Sequence, residues 1–119
     1  MAEILVIDDE PEIRGLIARV LTRKGHVVHQ AANGREGLQL FQQLRPAAVI
    51  TDIVMPEGEG IETIQELRRR APQIPILAIS GGSAEALYLR AAVRLGASAS
   101  LQKPFDLGQF TAVVTDLLK

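Results

Sequence analysis

The sequence has no cysteine, few aromatic residues, no long apolar run and little net charge. Without cysteine there are no disulfides, no Cys-ligated zinc and no thiol chemistry. Aromatic residues make up 3%, so an aromatic platform for bases or sugars is not expected. A net charge of −1 provides no broad basic field for nucleic acid or an anionic membrane. The apolar runs are too short for a membrane span, and no signal-peptide pattern follows Met1. We therefore expect a cytoplasmic protein with no membrane or direct nucleic-acid partner.

The length of 119 residues predicts one domain, 1–119, with no second domain. Along it, short apolar or β-branched runs alternate with segments of helical periodicity, which is typical of an α/β fold with a doubly wound parallel sheet. Strands are predicted at 4–7, 27–31, 47–51, 76–79 and 99–102.

Five helices are predicted between and after these strands. Pro11 marks the start of the first and Gly25 its end, while Asn33 and Asp106 are predicted caps for the second and fifth. The fourth helix is predicted over 84–95. The inward faces are predicted to carry Ile13, Leu16, Ile17, Val20 and Leu21 in the first helix, Leu38, Phe41 and Leu44 in the second, Ile61, Ile64 and Leu67 in the third, and Phe110, Val113, Val114 and Leu117 in the fifth.

Polar residues follow four of the five buried strands. In open parallel sheets the carboxyl ends of the strands meet at one edge, where ligands bind. The residues predicted to converge there are Asp8, Asp9, Asp52, Ser80 and Lys103.

One lysine cannot offset three carboxylates, so either one carboxyl is protonated or a cation is recruited. Oxygen ligands without His or Cys favour Mg²⁺, Mn²⁺ or Ca²⁺ over zinc. A carboxylate beside such an ion and a lysine is equipped to attack phosphorus and form an aspartyl phosphate.

In this order and on these strands, the residues resemble the response-regulator receiver domains of two-component signalling. The resemblance extends over residues 4–118, and its signature is Asp8-Asp9, the run Asp52-Ile-Val-Met-Pro, Ser80, and Lys103-Pro-Phe. It implies a flavodoxin-like five-stranded parallel sheet in the order 2-1-3-4-5 with five helices. It also implies a switch that accepts a phosphoryl group, not a turnover enzyme.

The resemblance assigns roles to these residues. Asp52 is the phosphorylated residue, and Mg²⁺ (Mn²⁺ is possible) is held by Asp8, Asp9, Asp52 and the backbone carbonyl of Val54. Lys103 pairs with the phosphoryl group, and Ser80 donates to it and couples its arrival to loop movement. The Lys103–Pro104 peptide is cis.

The resemblance also implies partners. The donor is the phosphohistidine of a sensor histidine kinase or histidine phosphotransfer domain. An unknown output protein docks on the face formed by the fourth helix, fifth strand and fifth helix. One feature of the sequence favours this face, and another on the same face departs from the family pattern. Leu87, Tyr88 and Leu89 are consecutive, so at least one is exposed on the fourth helix. Ser100 stands where receivers usually carry an aromatic ring.

Two further departures concern the lifetime of the phosphoryl group. Val54 and Gly82 offer no polar side chain to a hydrolytic water. Three alternative functions stay open at this point: a receiver-like interaction module that works without phosphorylation, a phosphatase with an aspartyl nucleophile, and a flavodoxin-like nucleotide binder. The phosphatase lacks the usual second Asp, because Asp52 is followed by Ile-Val, and the nucleotide binder lacks a phosphate loop.

Several residues also have purely structural explanations. Asp9 alone could cap a helix. His26 and His29 are three apart, so on a strand they point to opposite faces, and they are interpreted as exposed positions. The basic run Arg68-Arg69-Arg70 is interpreted as a solvated helix end, where cations are favoured.

Overall fold

A computed structural model describes residues 2–53, 60–81 and 86–119, with residues 60 and 86–89 described only in their backbone. Strands and helices alternate along the chain, and the five strands form one parallel sheet in the order β2-β1-β3-β4-β5. This confirms the predicted α/β class and strand order. The elements are β1 (Glu3–Ile7), α1 (Pro11–Arg23), β2 (Val27–Ala31), α2 (Gly34–Leu44), β3 (Ala48–Asp52), α3 (Gly60–Arg70), β4 (Ile76–Gly81), α4 (Ala86–Leu95), β5 (Ala99–Lys103) and α5 (Leu107–Leu117).

The sheet has an apolar core on each face, which explains why its central strands are almost wholly apolar. In β1, Leu5 and Ile7 point to one face and Ile4 and Val6 to the other, and all four are fully buried. The first face is covered by side chains of α2, α3 and α4, and the second by α1 and α5. The residues that cover the first face include Phe41, Ile64, Leu67 and Ala92, and those on the second include Ile17, Leu21, Phe110 and Val114.

Local signals fix the helix ends as predicted. The Asn33 Oδ1 accepts from the backbone N–H of Glu36 at 2.8 Å, and the Asp106 Oδ1 accepts from that of Gln109 at 2.6 Å. Each bond satisfies one of the free N–H groups of a first helical turn. Gly25 follows α1 with a φ of 92°, a left-handed conformation that glycine adopts without strain.

The structure corrects several predicted details. Strands β3, β4 and β5 reach Asp52, Gly81 and Lys103, because the backbone ladder continues past the last apolar residue of each. Leu16, predicted to face inward, is 39% exposed, because it lines a groove between α1 and the segment after β5 and does not join the core. The predicted start of the fourth helix, at 84–85, and the side chains of 87–89 lie outside the described residues.

The basic run at the end of α3 is only in part a solvated helix end. Arg69 and Arg70 are exposed and pair with Glu66. Arg68 instead donates from Nε and Nη2 to the Gly96 carbonyl at 3.0 and 2.7 Å, and from Nη1 to the Pro72 carbonyl at 2.8 Å. Arg68 therefore ties the end of α3 to the turn between α4 and β5.

Within the described ranges, no helix is both long and apolar enough to cross a bilayer.

Candidate functional site

The register of the sheet aligns the predicted site residues at its carboxyl edge. Ile7 of β1 pairs with Thr51 of β3, and Asp8 and Asp52 are the next residues along these two neighbouring segments of the ladder. On the other side, Asp52 lies beside Ile79, and the next residue of β4 is Ser80. The side chains of Asp8 and Ser80 are fully buried, and Asp52 is only 4% exposed. Buried polar groups at adjacent strand ends are the arrangement that the sequence predicts.

Lys103 closes the site from β5 and contacts three carboxylates. Its Nζ lies 3.2 Å from Asp8 Oδ2, 3.1 Å from Asp52 Oδ2 and 3.0 Å from Glu10 Oε1. An ammonium has three N–H donors, and these contacts use all three. The lysine therefore joins residues that are far apart in sequence into one crevice.

Four acidic residues can each place one oxygen within 4.8 Å of the others: Asp8, Asp9, Glu10 and Asp52. Four carboxylates against the single ammonium of Lys103 leave a formal excess of negative charge. Oxygen donors at this spacing match the needs of a hard divalent cation. The described crevice thus contains an acidic cluster that can hold a metal ion.

Burial raises the pKa of Asp8 above its ordinary value, because the carboxylate loses its hydration. Two groups act against this change: the backbone N–H of Glu10, which donates to Asp8 Oδ1 at 2.9 Å, and the charge of Lys103. The net direction stays upward, so the ionised form of Asp8 is disfavoured in the folded protein. A divalent cation would relieve this cost.

Burial lowers the pKa of Lys103, but its three carboxylate partners outweigh this effect and raise the pKa above the usual value. The largest of the raising contributions are the hydrogen bond to Glu10 and the charges of Asp52 and Asp8. These partners therefore favour the charged form of Lys103.

The turn between β1 and α1 is held by backbone and side-chain bonds. The N–H of Asp8 donates to the Ala31 carbonyl at 3.1 Å, and Arg14 Nη1 donates to the Asp8 carbonyl at 2.7 Å. The N-cap residue of α1 is Glu10 and not Asp9, which removes the purely structural explanation of Asp9. The Asp9 carboxylate belongs to the acidic cluster at the mouth of the crevice.

Sequence reasoning missed one member of the site. The sequence pattern does not single out Glu10, yet this residue contacts Lys103 and belongs to the acidic cluster. The signal was present, since an acidic residue directly after Asp8-Asp9 is forced to lie at the same strand end.

Two other expectations have different outcomes. The Lys103–Pro104 peptide is cis, as expected. The Val54 carbonyl lies outside the described residues.

The histidines have structural contacts remote from this crevice. His26 Nδ1 accepts from the Ala2 N–H at 3.2 Å, and His29 pairs with Glu3 at 3.0 Å. Among the described residues, neither belongs to a group of metal-ligating side chains. Both are half-buried rather than exposed, so that part of the interpretation was wrong.

Comparison with known proteins identifies the family. Residues 4–115 match the family model described as the response regulator receiver domain. The chain belongs to this family. It is 34% identical, over 98% of its length, to the regulatory protein AtoC of Escherichia coli, of which it spans 25%. It is 33% identical to the chemotaxis protein CheY of Thermotoga maritima, covering 87% of this chain and 86% of CheY.

Among solved structures, the receiver resembles response regulator protein TrrA of Thermotoga maritima, solved in complex with Mg(2+)-BeF. The TM-score is 0.89 at 32% identity, and the match covers 99% of this chain and 100% of TrrA. The receiver domain family is a phosphoacceptor switch of two-component signalling, and its members bind Mg²⁺ through an acidic pocket. The described acidic cluster is consistent with both properties.

Proposed function

We propose that this receiver accepts a phosphoryl group on Asp52 from a phosphohistidine donor and then changes its surface for a partner. The donor is a sensor histidine kinase or a histidine phosphotransfer domain. The observation that carries the proposal is the position of Asp52, which is nearly buried at the end of β3 and lies 3.1 Å from Lys103 within an acidic cluster.

In the proposed reaction, one carboxylate oxygen of Asp52 attacks the phosphorus of the phosphohistidine. A P–O bond forms as the P–N bond breaks, and the electron pair of the P–N bond goes to the imidazole nitrogen. Lys103 offsets negative charge that builds up on the phosphoryl oxygens. Ser80, at the end of the adjacent strand, donates its hydroxyl hydrogen to a phosphoryl oxygen and couples the arrival of the group to loop movement.

The metal site is proposed to consist of Asp8, Asp9 and Asp52 together with the backbone carbonyl of Val54. The ion is Mg²⁺, and Mn²⁺ has the same preference for oxygen ligands. The excess of carboxylates over ammonium groups and the raised pKa of Asp8 both support the fit. When bound, Mg²⁺ supplies positive charge that neutralises the transferred group.

A groove beside Lys103 supports docking of the donor. It has a volume of about 470 Å³ and lies between α1 and the segment after β5. Its apolar lining includes Leu16 and Leu107, which are 39% and 41% exposed. Exposed leucines next to the phosphorylation site would provide an apolar contact for a donor that must bring its histidine to Asp52.

Substitution of Leu16 tests this contact. We expect Leu16→Gln to slow transfer from a phosphorylated histidine-transfer domain while leaving labelling by acetyl phosphate unchanged. Leu95→Gln is the matched control, because Leu95 is 43% exposed on α4, outside the groove. Equal transfer rates for the wild type and Leu16→Gln would contradict donor docking here.

A second groove supports the output face formed by α4, β5 and α5. It measures about 610 Å³ and is lined by Ala91, Val93, Ser100 and the two arginines Arg90 and Arg94. Val93 is 43% exposed. Ser100 leaves this surface without the usual ring, so we propose that switching here relies on movement of backbone and α4 residues.

Three broader assignments also remain proposals. We propose that residues 1–119 act as one receiver unit that passes its signal to another protein or to a further part of its own chain. We propose that it is not a turnover enzyme and that it assists only its own phosphorylation and slow dephosphorylation. The proposed location is the cytoplasm, where sensor kinases present their phosphohistidine.

Amide NMR with beryllofluoride and Mg²⁺ tests the proposed function. We expect shifts at the strand ends around Asp52 and Ser80 and, separately, along α4 and β5. The variant Asp52→Asn should lose both sets of shifts. An unchanged wild-type spectrum would contradict the proposal and favour an interaction module that works without phosphorylation.

A further inference from the structure

Glu10 has a contact that the proposed reaction does not use. Its Oε1 lies 3.0 Å from Lys103 Nζ, and its side chain is 59% exposed. The other two partners of Lys103, Asp8 and Asp52, have side chains that are 0% and 6% exposed. The lysine therefore has two buried partners and one partner at the mouth of the crevice.

The three N–H donors of Lys103 are all engaged in this arrangement. A phosphoryl oxygen can bind the ammonium only if one carboxylate gives up its hydrogen bond. Asp8 and Asp52 are the partners that lie inside the proposed metal site. Because the Glu10 carboxylate is exposed, water hydrates it when its hydrogen bond to Lys103 breaks. Breaking this bond therefore costs less free energy than breaking either buried one.

We propose that Glu10 is a positioning residue that holds Lys103 in the resting receiver and is replaced by the phosphoryl group. It competes with the incoming anion for one donor of the ammonium. The inference rests on the proposed role of Asp52 and Lys103. It adds a contact of the unphosphorylated receiver that must break when the phosphoryl group binds, and that therefore lowers the affinity of the crevice for this group.

Two variants separate the contact from the charge. Glu10→Gln removes the negative charge and weakens the bond to Lys103. Glu10→Asp keeps the charge but shortens the side chain by one methylene, so that the carboxylate no longer reaches the lysine. Glu12→Gln is the control, because Glu12 is an exposed residue of α1 and does not line the crevice.

The experiment measures beryllofluoride affinity by isothermal titration calorimetry, with Mg²⁺ held at saturation for each variant. We expect both Glu10 variants to bind beryllofluoride about two- to fivefold more tightly than the wild type, which is the range for release of an exposed ion pair. Glu12→Gln should bind as the wild type does. Urea unfolding of each variant checks that the fold is intact.

The possible results are distinguishable. Tighter binding by both Glu10 variants supports the exchange. Tighter binding by Glu10→Gln alone would show a general charge effect and overturn the contact proposal, as would unchanged or weaker binding by both. If the wild type itself does not bind beryllofluoride, the proposed function fails and this inference fails with it.

Discussion

Replacing Asp8 with Asn should stabilise the metal-free protein, although Asp8 is a proposed functional residue. Asp8 attracts Lys103 at 3.2 Å and repels Asp52, Asp9 and Glu10 within 4.8 Å. With an effective dielectric constant near 20, the attraction is about 5 kcal/mol and the repulsion from buried Asp52 about 3 kcal/mol. The two exposed carboxylates add about 1 kcal/mol each in a water-like environment.

These charge contributions nearly cancel, so burial of the carboxylate decides the sign. The raised pKa of Asp8 has the same cause. Because the cost of burying the carboxylate is removed, while Asn loses one hydrogen bond to Lys103, we expect a net gain of about 1 kcal/mol in the free energy of unfolding.

Urea unfolding followed by circular dichroism measures this gain, first with EDTA and then with Mg²⁺. At ten times its dissociation constant, Mg²⁺ should stabilise the wild type by about 1.4 kcal/mol. Asp8→Asn should gain far less stability from Mg²⁺, so its advantage over the wild type in the free energy of unfolding should shrink or reverse. Asp116→Asn is the control, since Asp116 is exposed near the end of α5. A variant less stable than the wild type in EDTA, or an equal Mg²⁺ response, would refute the reasoning.

The remaining predictions concern pH, the α3 end and a helix cap. Because the folded pKa of Asp8 is raised, its cost is absent below about 3.8, the ordinary value, and grows as the pH rises through the folded pKa. The stability difference between the wild type and Asp8→Asn should therefore vanish in acid, which denaturant titrations at several pH values would detect. Arg68→Ala should lower the free energy of unfolding by about 2 kcal/mol through unsatisfied carbonyls, whereas Arg69→Ala should leave it nearly unchanged in the same assay. Asp106→Ala should cost about 1 kcal/mol by loss of the cap bond, and Asp106→Asn should restore most of that loss in thermal melts.

The fold could be predicted from the sequence because its signals are local and agree with one another. The run from Ile4 to Ile7 is apolar at every position, which requires cover on both faces of the sheet, and both cores are present. Asn33 and Asp106 stand directly before their helices and cap them. Parallel strands separated by helices then leave few topologies.

The candidate site could be predicted in outline for a related reason. Asp8, Asp52, Ser80 and Lys103 all lie within one residue of the carboxyl end of a strand, and a parallel sheet gathers such positions at one edge. Their distances could not be predicted, because the reach of the long Lys103 side chain depends on packing across three strands.

Two side-chain roles needed the tertiary structure. Arg68 belongs to a basic run that suits any helix C-terminus, and only the position of Gly96 shows that it connects two elements. Leu16 has helical periodicity that suits the core, but its exposure depends on how α1 lies against the segment after β5. Periodicity determines the face of a helix, and the neighbouring elements determine how wide the covered part of that face is.

The most direct test of the central claim is the intact mass of the protein after incubation with acetyl phosphate. With Mg²⁺ present, the wild type should gain the mass of one phosphoryl group, and the gain should disappear in EDTA. Asp52→Asn should not gain this mass under the same conditions, while Asp116→Asn should. A phosphoryl adduct on Asp52→Asn equal to that on the wild type would contradict the account.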